Sequence, residues 1–163
     1  MYEKNSAHEQ AMTQMELAKF VWKPLLSLFL IVLGSHIVVS FYVSVPKQFY
    51  ENQTTILLYE YYIGSCLGMI FALSKKTQIG PNSLLAASIA RFAVVPVMLV
   101  YMAHPLPNHE MSPKGARKVD HIVQVINFIF TFTNGHLFSN TYRQANAMFK
   151  SPAGVSSVEK RAM

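Results

Sequence analysis

Four long apolar runs determine what this chain can fold into. They cover residues 21–45, 55–74, 83–103 and 121–142. The hydrocarbon core of a bilayer is about 30 Å thick, so a helix that rises about 1.5 Å per residue crosses it with about 20 residues. Each run is that long. We therefore predict an all-α, polytopic membrane protein with four transmembrane helices.

The composition agrees with this class and leaves no room for a second folded domain. Of the 163 residues, 52% are hydrophobic and 13% are charged, whereas an ordinary soluble domain is about 25% charged. The net charge of +6 fits Lys and Arg flanking the spans, and we expect no nucleic-acid partner. The N-terminal segment lacks the basic start of a signal peptide. The first span is expected to be retained and to begin near Pro24, because proline suits a first helical turn.

The distribution of basic residues predicts the orientation. If both termini lie on one side, that side carries nine Lys and Arg residues and the other carries four. The positive-inside rule then predicts a cytosolic N-terminal segment, residues 1–20, and a cytosolic tail, residues 143–163. Three of the four outward basic residues lie in the loop after the third span, which weakens the contrast.

The second span carries a stripe of small residues and one carboxylate. Glu60, Gly64 and Gly68 recur every four residues and share a helix face. The glycines form a small-xxx-small pattern, which predicts close packing with another helix. A carboxylate is costly in the membrane and less so near the interface. Glu60 therefore fits either an interfacial residue among the neighbouring tyrosines or a cavity-facing, proton-linked group.

Arg91 in the third span also has two interpretations. It lies about 12 Å of helical rise from the inner boundary, so it could snorkel towards the interface. Small neighbours instead favour a face that packs on other helices. Pro96 lacks an N–H group and is expected to release the Phe92 carbonyl and kink the helix. About 10 Å of rise separates Glu60 from Arg91, so a direct pair would require tilt or water.

Two further stripes are polar. In the fourth span Asn127, Thr131 and Asn134 recur at steps of four and three, which indicates either interhelical hydrogen bonds or the lining of a polar cavity. In the first span a similar stripe, expected in the interior, is formed by His36, Ser40 and Ser44.

Residues 90–97 (ARFAVVPV) and 130–137 (FTFTNGHL) resemble the equilibrative nucleoside transporters. In that family an R-F-x-x-x-P helix is followed by a helix bearing F-x-x-S-N-G-Y-L, and here Thr133 replaces the Ser and His136 the Tyr. The resemblance covers about residues 20–163. It implies helices arranged as in part of a major-facilitator-like transporter. It also implies facilitated diffusion of nucleosides or nucleobases through a lipid bilayer, without a cofactor.

The chain departs from the family pattern in two ways. The family's eighth helix carries D-x-x-G-R, but residues 61–65 here read YYIGS, unless Glu60 replaces the acid from one position earlier. The family has eleven spans, and this chain resembles spans seven to ten. We therefore expect a fragment or one piece of a larger transporter, with the missing helices as partners.

These patterns give two sets of candidate residues and no metal ligands. The substrate-pathway candidates are Glu60, Tyr61, Ser65, Arg91 and Asn134. The helix-packing candidates are Gly64, Gly68, Pro96 and Gly135. The alternative function is a small four-span interaction protein that transports nothing, and an embedded enzyme is disfavoured because no catalytic set is visible. The plasma membrane is expected rather than an internal membrane.

Overall fold

A computed structural model describes residues 14–44, 52–103 and 113–149 of the chain. Its α-helices are α1 (Gln14–Tyr42), α2 (Gln53–Ala72), α3 (Pro81–Ala90), α4 (Val94–Ala103) and α5 (Pro113–Phe149). No strand occurs within these ranges, which confirms the all-α class. Most of both predicted cytosolic ends and most of the first and third loops lie outside the described residues, so the orientation stays a prediction.

Among the described residues, three segments are long and apolar enough to cross a membrane. They are Val21–Tyr42, Gln53–Ala72 and Pro81–Tyr101, which agrees with a polytopic membrane protein. The fourth predicted span lies within α5, which is more polar than the other three. Its polar side chains, including Asn127 and Thr131, are buried against the other helices. The role of α5 as a membrane span stays a prediction.

The first helix begins well before Pro24, contrary to the expectation that it would start there. Pro24 lies inside α1, where it removes one backbone hydrogen bond. Val21, Pro24 and Leu28 line a small cavity together with Thr141 and its neighbours on α5.

The third span is interrupted at Arg91, where the chain forms a 3₁₀ turn, Arg91–Ala93, between α3 and α4. Pro96 follows in the first turn of α4. The Phe92 carbonyl is not released, because a backbone N–H at the end of the 3₁₀ turn donates to it. The tighter turn thus satisfies the group that the proline would otherwise leave without a donor.

Helix α5 is central, because it contacts all four other helices, and its largest interface is with α2. Glycines allow these two backbones to approach closely. A Cβ atom at Gly68 would overlap the Phe132 carbonyl and lie 2.8 Å from the His136 amide nitrogen. A Cβ atom at Gly135 would overlap the Ser65 carbonyl in the same way. Helix α1 packs mainly on α3 and α5.

Candidate functional site

Arg91 is buried where α1, the 3₁₀ turn and α5 meet, and only 7% of it is exposed. Its Nη2 atom donates to the Ser35 hydroxyl and to the Phe130 carbonyl, each at 3.5 Å. Its guanidinium carbon lies 4.2 Å from the centre of the Phe130 ring, within the range of a cation–π interaction. Arg91 therefore faces the other helices.

Ser35 connects Arg91 to Asn134, the two residues that the sequence places on facing helices. The Ser35 hydroxyl lies 2.7 Å from Asn134 Oδ1, and both residues are buried. A guanidinium in a low-dielectric interior requires acceptors. Those acceptors are the serine hydroxyl and the Phe130 carbonyl of α5, while the Phe92 carbonyl is bonded within its own turn.

Glu60 belongs to a second group of buried polar side chains, centred on Asn127. The Asn127 amide donates to Glu60 Oε2 and to the Leu57 carbonyl, both at 3.1 Å. The Tyr42 hydroxyl donates to Asn127 Oδ1. Because Asn127 is 0% exposed, these bonds fix the orientation of its amide. Glu60 is partly buried and interacts with α5 through this amide.

Tyr61 packs against the buried cluster that contains Tyr42 and Phe130. Through this cluster it adjoins both groups, because Tyr42 bonds Asn127 and the Phe130 ring contacts Arg91. Glu60 and Arg91 are thus related through intervening polar side chains. We use the term polar string for the set that runs from one to the other: Glu60, Asn127, Tyr42, Tyr61, Arg91, Ser35 and Asn134.

The remaining candidates lie at the α2–α5 interface or on the surface. Ser65 is buried, and its hydroxyl donates to the Thr131 carbonyl at 3.3 Å. Gly64 faces Thr131, where a Cβ atom would lie 3.2 Å from the Phe132 amide nitrogen. The glycine stripe is therefore occupied within the chain itself. Pro96 is exposed and takes no part in the polar string.

A cavity of about 470 Å³ opens beside Arg91, between α3, the 3₁₀ turn and α5. Thr133 and His136 of α5 line it together with Arg91, and the other lining residues are Ile79, Ala87, Ala90, Val94, Ile129, Phe130 and Leu137. Its volume lies within the range of about 300–1,000 Å³ that is usual for small-molecule sites. The cavity surface is almost entirely apolar, although three of the lining residues have polar side chains.

A separate polar cluster lies near the N-terminal end of α5. The Tyr101 hydroxyl donates to Asp120 Oδ1 at 2.9 Å, and the Gln124 amide donates to Gln53 Oε1 at 2.9 Å. Among the described residues, no group of three or more His, Cys, Asp and Glu side chains could hold a metal ion. This cluster joins α4 and α2 to α5.

The first-span stripe differs from expectation. His36, Ser40 and Ser44 are exposed, and the buried face of α1 carries Ser27, Ile31, Ser35, Val38 and Tyr42 instead. These five positions are spaced by four, four, three and four residues, which is a helical periodicity. That spacing could have identified Ser35 and Tyr42 as members of the site.

A comparison with protein families gives one result. The model of a family described as nucleoside transporter matches residues 4–162, which is almost the whole chain. No curated protein and no solved structure gives a significant match.

Proposed function

Because this chain belongs to the nucleoside transporter family, we propose that its helices form part of a pathway for nucleosides or nucleobases. In this proposal the substrate moves by facilitated diffusion through an integral membrane protein. The polar string supports it most strongly. Polar side chains in a membrane interior are costly, and they are typically retained where they line a substrate pathway.

The proposal assigns Arg91 and Asn134 to the centre of the pathway. Arg91 carries a charge that it cannot lose at ordinary pH, and it lines the cavity beside α5. Asn134 lies next to it through Ser35. Glu60, Tyr61 and Ser65 occupy the neighbouring part of α2, where Glu60 and Ser65 hydrogen-bond to α5.

The proposal assigns a packing role to the glycines. Gly64, Gly68 and Gly135 allow the α2 and α5 backbones to touch, which positions Glu60 against Asn127. Pro96 would contribute through the break in the third span. The rival function, an interaction protein, relied on the glycine stripe as its association surface. Since α5 covers that stripe, it is not available for association with another protein. We therefore favour the transport function over the interaction function.

We also propose that the transporting unit contains more helices than those described. The observation is the outward stripe of α1, where His36 and Ser40 are exposed within a segment apolar enough to span the membrane. An ionisable side chain such as that of His36 rarely faces lipid. A further layer of helices over α1 would cover them.

The test is uptake of radiolabelled uridine and adenosine by cells that express the chain, alone and together with the remaining helices of a family member. We expect saturable uptake at least when the chain is expressed together with those remaining helices. Arg91→Ala and Asn134→Ala should each reduce it strongly, whereas Pro96→Ala should affect it less. Uptake from the medium by intact cells would also support location in the plasma membrane. Normal uptake and expression of both pathway variants would contradict the assignment of these residues.

A further inference from the structure

Two residues that line the Arg91 cavity each have buried nitrogen atoms without a hydrogen-bond partner among the described residues. One is Arg91 itself, whose Nε and Nη1 atoms are buried without an acceptor. The other is His136, whose Nδ1 atom is also buried and without a partner. Both residues line the same cavity. Buried polar atoms are almost always paired. Because these atoms are not exposed at the cavity surface, a ligand in the cavity supplies the missing partners only after the side chains turn towards it.

The surrounding hydrogen bonds define which partners His136 lacks. Asn140 Oδ1 accepts the Ile79 N–H at 3.4 Å, so the Asn140 amide nitrogen is the atom that lies 3.4 Å from His136 Nε2. That nitrogen is a donor, and Nε2 therefore acts as the acceptor. A neutral imidazole then carries its proton on Nδ1. His136 and Arg91 both present N–H donors, and the missing partners are acceptors.

We propose that this cavity binds the base of oxo-nucleosides, in which a ring carbonyl accepts hydrogen bonds from Arg91. This selectivity rests on the proposed function and adds a substrate preference to it. Arginine pairs with the carbonyl O6 and the ring N7 of guanine in the commonest base-specific contact known in proteins. Adenine presents an amino group, a donor, at the position of O6. The apolar walls of the cavity, such as Ile129 and Val94, suit the flat faces of a base.

Arg91 must turn to reach such a ligand, and the hydrogen bonds that hold it in place are long. Both of its hydrogen bonds are 3.5 Å long, whereas a strong N–H···O bond measures about 2.9 Å. The carbonyl of a bound base would replace weak acceptors with a closer one. Arg91 would act as a specificity-determining residue, and Ser35 would keep it near the cavity when no base is bound.

The first experiment uses the unmodified chain. The full chain, purified in lipid nanodiscs, would be assayed for binding of tritiated inosine. Competing ligands would be adenosine and purine riboside, which has only hydrogen at the ring carbon that bears the carbonyl in inosine. A hydrogen bond to a charged donor corresponds to about a 10- to 100-fold difference in affinity, and we expect inosine to bind tighter than both competitors by that factor.

The second experiment uses Arg91→Met, which removes the donors and keeps an unbranched apolar side chain. In this variant the ratio of the affinity for inosine to the affinity for purine riboside should fall to nearly one. Arg143→Gln is the matched control, because Arg143 bonds the Ala72 and Leu73 carbonyls outside the cavity. It should leave the preference unchanged.

Three results would overturn the proposal. Equal affinity for inosine and purine riboside in the unmodified chain would remove the carbonyl contact, even if Arg91→Met failed to fold. A preference that persists in Arg91→Met would assign the selectivity elsewhere. Binding of no nucleoside at all would overturn this inference together with the proposed function, whereas equal binding of all three nucleosides would overturn the inference alone.

Discussion

The tight α2–α5 contact predicts a large effect from the smallest possible substitution. In Gly68→Ala the added methyl group would overlap the Phe132 carbonyl and lie 2.8 Å from the His136 amide nitrogen. Both atoms belong to the α5 backbone, which cannot rotate out of the way as a side chain can. The two helices must therefore separate by more than about 1 Å to restore ordinary van der Waals distances.

The cost of this separation follows from the contacts that cross the interface. Overpacking of a well-packed interior costs about 1–3 kcal/mol. Separation also weakens the hydrogen bonds from Thr131 to the Glu60 carbonyl at 3.2 Å and from Ser65 to the Thr131 carbonyl at 3.3 Å, each worth about 0.6 kcal/mol in a membrane protein. Alanine regains about 1 kcal/mol through its higher helix propensity. The net destabilisation is about 1–3 kcal/mol, or a fall in Tm of about 2–12 °C for a chain of this size.

The assay is thermal unfolding of the purified chain in detergent, followed by circular dichroism at a helix wavelength. Gly34→Ala is the matched control, because its Cβ atom would lie 3.6 Å from the Phe92 ring, an ordinary contact. We expect the control to melt at the Tm of the unmodified chain or a few degrees higher. If Gly68→Ala had the same Tm as Gly34→Ala, the claim that the α2 and α5 backbones approach closely at Gly68 would be wrong.

Three further predictions concern individual hydrogen bonds. Arg143→Gln should lower the Tm by about 2–4 °C, because it weakens the capping of α2 through the Ala72 and Leu73 carbonyls; an unchanged Tm would contradict this cap. Tyr42→Phe should destabilise the chain by about 1–3 kcal/mol, because it leaves Asn127 Oδ1 buried without a donor. The exposed Tyr62→Phe is its control, and equal urea midpoints for the two would refute the prediction. Ser35→Ala should reduce nucleoside uptake more than Ser40→Ala, because only Ser35 contacts Arg91 and Asn134; equal uptake by both variants would exclude Ser35 from the pathway.

The helices could be predicted from the sequence because apolar length is a strong signal for a membrane span. The four runs correspond to the positions of α1, α2, α3–α4 and α5. The predicted start of α1 was wrong, since the preference of proline for a first helical turn does not exclude it from a helix interior, and α1 begins ten residues before Pro24.

The site could be predicted only in part. Single polar residues in apolar runs, such as Arg91, are conspicuous in the sequence, and Arg91 is buried between the helices. Ser35 and Tyr42 were not, because serine and tyrosine are common in membrane helices and only their spacing with Val38 reveals the buried face. The partner of Glu60 could not be predicted either, since the rotation of α5 that directs Asn127 towards it depends on three-dimensional packing.

The central claim is that the cavity beside Arg91 is part of a nucleoside pathway, and substrate protection tests it most directly. Cys66 is the single cysteine of the chain, so Thr133→Cys in a Cys66→Ala background would place one thiol in the cavity. The rate of its modification by a small water-soluble methanethiosulfonate would be measured with and without uridine or inosine, with Ile122→Cys on an exposed face of α5 as the control. We predict that either nucleoside slows modification at position 133 and has no effect at position 122. Modification at position 133 at the same rate with and without nucleoside would contradict the claim.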